Sequence, residues 1–124
     1  MNPKEFESVI KQSPKIRYEY FIKKVVDFEE VWGLYNEGWA TSKDDDGNML
    51  IPFFPKKEFA DYCAINEWDV YKATSIDLDE FIEEWLEDMN NDGIKPSIFP
   101  THQDSALVEI SILSKDLKNE LENY

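Results

Sequence analysis

The sequence predicts a single α+β domain: a mainly antiparallel sheet of about five to six strands, counted from hydrophobic periodicity, with helices packed against it. Three observations lead there. The 124 residues are 42% hydrophobic and 15% aromatic, enough to bury a core and too rich for a disordered acidic chain. Helical caps and helical spacing open the chain and recur near its end. Between them lie short β-rich runs separated by turn residues. Residues 1–27 read as a helical segment and residues 28–124 as sheet and helices. No internal repeat or linker divides the chain.

Asn2-Pro3 is an N-cap followed by proline at the first helical position, with Glu5 where a capping-box acid belongs. Ser13-Pro14 repeats that signal and starts a second helix through about Val26. Along it Tyr18, Phe21, Ile22 and Val25 make one apolar face. Val31–Tyr35 is β-rich, and Asn36-Glu37-Gly38 turns it toward a strand at Trp39-Ala40-Thr41. Asp44–Asn48, with Gly47 available for positive φ, is a second hairpin connection. Met49–Phe54 follows as a strand whose Pro52 favours an edge or a bulge.

Lys56–Asn66 reads as a helix and Val70–Ile76 as a strand. Asp77, with Glu80 three residues on, then caps a helix with Leu78, Phe81, Ile82, Trp85, Leu86 and Met89 on one face. Gly93 is its expected C-cap. Strands over Ile94–Phe99 and Ala106–Ile110 flank a polar loop, and a last helix begins near Ser111.

The charge is localised. Between Glu58 and Asp92 stand twelve acids and one base, Lys72, which gives −11 of the net −14, while residues 1–43 balance to zero. A folded face of one sign repels nucleic acid and anionic lipid and attracts basic proteins within about a Debye length. No run is apolar enough for a signal peptide or a membrane span. The single cysteine, Cys63, fits a reducing compartment, so the cytosol is expected.

Arg17-Tyr18-Glu19-Tyr20-Phe21, Val31-Trp32-Gly33-Leu34, Gly38-Trp39-Ala40, Asp45-Asp46-Gly47, Ile51-Pro52 with Phe54-Pro55, Leu78-Asp79-Glu80-Phe81 and Asp116–Leu121 carry a family resemblance. In this order, over nearly the whole chain, they resemble the bacterial domain-of-unknown-function 2750 family. That resemblance implies a single α+β domain of bacterial cytosolic type and supplies no activity.

Catalytic chemistry is thinly supplied. The chain has one histidine, His102, and no nucleophile elbow, phosphate-cradling loop or Cys/His cluster. A Cys63–His102 dyad is open by sequence distance, but Cys63 falls on the apolar side of a helix, where a thiol is inert. The run Asp44-Asp45-Asp46-Gly47 hints at calcium. Aligned on its glycine, however, the loop puts Ser42 first and Phe53 at the position that requires a bidentate glutamate. Asp88, Asn90, Asp92 and Gly93 fit the first half of that motif and then reach Phe99. No metal, cofactor or catalytic residue is expected.

What remains is an acidic surface. Glu80, Glu83, Glu84, Glu87 and Asp88 lie opposite the apolar stripe of the helix after Asp77. The plainer reading is a solvated face. Against it, Glu80/Glu84 and Glu83/Glu87 are like-charged i,i+4 pairs, each costing a few tenths of a kcal/mol. The leading expectation is a non-enzymatic module that binds a basic protein, of the immunity or antitoxin kind that inhibits a basic toxin such as a nuclease. Its contacts would be the helix acids, the hairpin acids Asp44, Asp45 and Asp46, and Trp68 as an aromatic anchor. The alternative is a small-molecule sensor or accessory domain with a pocket lined by Trp32, Trp39 and Phe54. The oligomeric state is open, although so acidic a chain resists self-association.

Overall fold

The computed structural model describes residues 1–124. The first two helices form where their caps dictate. Asn2 Oδ1 accepts from the Lys4 N–H at 2.8 Å ahead of α1 (Pro3–Ile10), and Ser13 Oγ accepts from the Ile16 N–H at 3.3 Å ahead of α2 (Pro14–Phe28). Both helices carry proline in the first turn, where its missing N–H has no intrahelical partner to lose. α2 buries Phe21, Ile22, Val25 and Val26, and Arg17 with them, before Glu29 ends it in the left-handed conformation at φ 57°.

Six strands follow: β1 (Glu30–Tyr35), β2 (Ser42–Lys43), β3 (Met49–Phe53), β4 (Lys72–Asp77), β5 (Lys95–Ile98) and β6 (Ala106–Leu107). They form a two-stranded ribbon, β1–β4, and a four-stranded sheet in the order β2-β3-β5-β6. Trp32 and Phe54 exchange backbone hydrogen bonds of 2.9 and 2.8 Å, and this bridge joins the ribbon to the sheet. All ladders are antiparallel except β3 with β5, which run parallel. The domain is α+β, as expected, with the single sheet resolved into two bridged ones.

Two further expectations are corrected. The hairpin over 31–41 shrinks to a single bridge between Tyr35 and Trp39. Bonds from the Asn36 N–H to Gly38 O at 2.9 Å and from the Ala40 N–H to Leu34 O at 2.8 Å close a tight turn that folds Trp39 back onto β1. The ladder partner of β1 is β4, which pairs along all six residues and aligns buried Val31 with buried Ile76. Pro52, expected at an edge or bulge, lies inside β3. The Phe99 N–H donates to Phe53 O at 2.8 Å, so Phe53 faces β5 and its neighbour Pro52 faces the opposite side. There β2 has already ended opposite Leu50, and the Trp32 bridge begins only at Phe54. The missing N–H falls in the gap.

The strand expected over 106–110 stops at Leu107, because Ile110 already begins α5 (Ile110–Glu122). The helix expected over 56–66 is α3 (Lys57–Cys63), followed by a short turn at Asn66–Trp68. α1, α2 and α3 pack through Phe6, Tyr20, Phe59 and Phe99, with Phe59 and Phe99 4.6 Å apart. The helix after β4 meets the sheet through Phe81, whose ring lies edge-on to Phe53 at 4.8 Å. No helix is long and apolar enough to cross a membrane.

The helix after β4 is α4, and it runs over 78–92. Asp77 Oδ2 caps it by accepting from the Glu80 N–H at 3.3 Å, and Gly93 closes it at φ 72°. It is not a uniform α-helix. Phe81–Trp85 form a wide π-turn in which the Leu86 N–H bonds Phe81 O, five residues back. The fully buried positions are therefore Leu78, Phe81, Leu86 and Met89, with a five-residue step in the middle. Ile82 and Trp85, which an unbroken stripe would bury, are left half-buried on its flank.

Candidate functional site

Glu80, Glu83, Glu84, Glu87 and Asp88 of α4 are all exposed, and none takes part in an ion pair. The helix divides them. Glu80, Glu84 and Asp88, continued by Asp92, form a ridge along one side of an open groove of about 400 Å³. Glu83 and Glu87 stand outside it. The floor and far wall are Trp39, Ile51, Trp85, Met89 and Ile94.

The groove depends on how Trp39 is seated. Its indole lies over Gly33 of β1, so closely that a Cβ there would come within 2.9 Å of Cζ3 and 3.0 Å of Cε3. A glycine inside a strand often marks such a close approach. The ring then meets Trp85 edge-on at 4.9 Å and Tyr35 at 5.1 Å. Trp85 rests in turn on Phe53 at 5.9 Å. The β1–β2 connection thus delivers one indole and the π-turn of α4 the other. The helical spacing assigns Trp85 to the core, and the sequence offers Asp92 only as the end of the acidic stretch and part of a turn and Gly33 only as part of a β-rich run, so neither is expected at a groove. The mid-strand glycine was the available signal.

The other expected contacts do not join this groove. Asp44 accepts hydrogen bonds from the Asn48 N–H at 2.8 Å, Asn48 Nδ2 at 3.0 Å and the Asp46 N–H at 3.0 Å. The Asn48 bonds hold its carboxyl below the usual carboxylate range, and its oxygens face its own hairpin. Asp45 and Asp46 are exposed on the same turn. Trp68 is half-buried against the core in the turn after α3.

The pocket expected from Trp32, Trp39 and Phe54 does not form. Strand alternation turns Trp32 away from the face on which Trp39 covers Gly33. Trp32 borders a different, smaller groove of about 210 Å³ near Phe28 and Lys56, and Phe54 is wholly buried. Cys63 and His102 form no dyad either. Cys63 Sγ donates to Pro100 O at 3.3 Å, and burial pushes the thiol up to about 11 against the opposing pull of Arg17. His102 stacks on Tyr62 at 4.0 Å with Nε2 2.9 Å from Tyr62 O.

The fold and this surface define a small single α+β domain bearing an acid-rimmed aromatic groove. By sequence the chain belongs to the DUF2750 family, described as proteins of unknown function, whose model matches residues 18–121. No curated protein and no solved structure matches the chain.

Proposed function

We propose that this domain is a non-enzymatic protein-binding module of the cytosol, an immunity or antitoxin-like inhibitor that captures a basic toxin domain such as a nuclease through α4. The observation that supports this reading is a row of exposed carboxylates on one well-capped helix, without a single cationic partner. Stability alone does not account for such a row. Glu80/Glu84 and Glu83/Glu87 repel at i,i+4 spacing, each by a few tenths of a kcal/mol. Asp88 and Asp92 also sit toward the carbonyl end of α4, where negative charge opposes the helix dipole by about 0.3–1 kcal/mol. A surface of balanced charge would solubilise the chain without those costs. Concentrated negative charge instead steers a basic partner into encounter and fixes its orientation.

Affinity capture from the native cell, run with the wild type beside E83K/E84K/E87K, tests the proposal. A basic protein retained by the wild type, released by moderate salt and lost on charge reversal is the expected result. The immunity reading further requires that the captured protein be toxic and that added domain suppress its activity. If charge reversal changes nothing in the retained set, the proposal fails.

A further inference from the structure

Resting on that reading, we infer that the α4 groove is the seat for one arginine side chain of the basic partner, held between the Trp39 and Trp85 indoles and the ridge carboxylates. The groove joins two chemistries that few ligands satisfy together. Part of its lining is apolar, buried Ile51 and Met89 together with the half-buried indoles, while its ridge carries four exposed carboxylates without cations.

An apolar side chain docked there would strip water from the carboxylates without replacing their hydrogen bonds. A hard metal cation needs an oxygen cage, and here one side of the groove is carbon. An arginine matches both walls. Its methylene stem lies on the apolar floor, its planar guanidinium stacks on indole, and its fork of N–H donors engages carboxylates. Lysine offers a compact, strongly hydrated charge that stacks poorly. Both half-buried indoles line the groove, with their ring planes 82° apart and their centroids 4.9 Å apart. Arginine and tryptophan are also the residue types that dominate interface hot spots.

The four tryptophans give four indole N–H signals, so full-length protein can be titrated by NMR. The probes are acetyl-Gly-Ser-Arg-Ser-Gly-amide and its lysine and citrulline counterparts. The arginine peptide should shift the Trp39 and Trp85 signals saturably with Kd of about 1 mM, the range open to a single anchored side chain. Lysine should bind about tenfold more weakly, and citrulline, the neutral isostere, should not saturate. E84Q/D88N should weaken the arginine peptide at least about fivefold while leaving the unliganded spectrum folded.

Absence of saturable shifts, or equal shifts from citrulline, overturns the inference. The two readings fail separately. If E83K/E87K, outside the groove, abolishes capture while the arginine peptide leaves Trp39 and Trp85 unmoved, partner binding stands and the arginine seat falls. If the peptide binds but capture is insensitive to charge, the seat stands and the immunity reading falls.

Discussion

Arg17 and the acids of α4 are treated in opposite ways by the same fold. Arg17 is 2% exposed and nearly all its donors are engaged. Nε donates to Phe99 O at 3.1 Å, Nη1 to Gln12 O at 2.7 Å, and Nη2 to Asp104 O at 3.0 Å and Asp104 Oδ1 at 2.6 Å. Its guanidinium carbon also lies 5.8 Å from the Phe99 ring centroid. The α4 carboxylates are exposed and pair with no cation. A charge taken out of water must be satisfied within the chain, so Arg17 reports on how the fold closes. A charge left in water with no partner reports on what the surface can meet.

The largest effect should come from removing the buried charge. Arg17→Met strands the carbonyls of Phe99 and Gln12, while Asp104 O keeps the Thr101 N–H at 2.9 Å, and it loosens the tie between α2 and the segment after β5. That segment begins at Phe99, held in the left-handed region at φ 49°, a costly conformation for a bulky residue. A loss of about 3–5 kcal/mol in urea unfolding is expected. Asp104 is 49% exposed, so Asp104→Asn should cost only about 0–1 kcal/mol. Equal losses from the two variants would mean that the ion pair, rather than the carbonyls, holds Arg17, and the contrast with α4 would blur.

Gly33→Ala comes next and tests the groove itself. The added methyl must displace the Trp39 ring, because backbone pairing on both sides of Gly33 leaves β1 little room to move. Overpacking of this kind costs about 1–3 kcal/mol. Tryptophan emission should move to longer wavelength as Trp39 tilts into solvent. A variant silent in both stability and emission would show that Trp39 is not seated as described.

These two residues also show how far the sequence could be read. Helix starts were legible because a cap is local: Asn2, Ser13 and Asp77 each bond an N–H two or three residues ahead, and Gly93 supplies positive φ on the spot. The partner of β1 was not, because β4 lies some forty residues on and only shared burial selects that register. The parallel pairing of β3 with β5 was hidden for the same reason.

The acid row was legible because it is the complement of an apolar stripe. The groove beside it was not. The sequence 78, 81, 82, 85, 86, 89 fits an unbroken α-helix, and nothing local announces the π-turn that tips Trp85 outward. Arg17 sits four residues before Phe21 on the same helical stripe, yet its burial rests on carbonyls far along the chain.

Asp77→Ala should cost about 1 kcal/mol, the usual value of a lost N-cap, and fray the start of α4. Because the groove ridge begins at Glu80, arginine-peptide binding should weaken in parallel with that fraying. Binding that survives intact would place the seat further along the helix, toward Asp88 and Asp92.

The smallest stability change should come from the charges most visible in the sequence. Glu87→Lys turns a repulsive i,i+4 pair with Glu83 into an attractive one and places a cation nearer the carbonyl end of α4. Both effects favour the folded state, so stability should rise by a few tenths of a kcal/mol. Partner capture, measured on the same variant, should fall. Opposite signs in the two measurements are what a carboxylate kept for a partner would give. If Glu87→Lys instead destabilises the domain by about 1 kcal/mol or more, well beyond an ordinary surface substitution, the acid helps to hold α4. The exposed and the buried charges would then serve the fold alike.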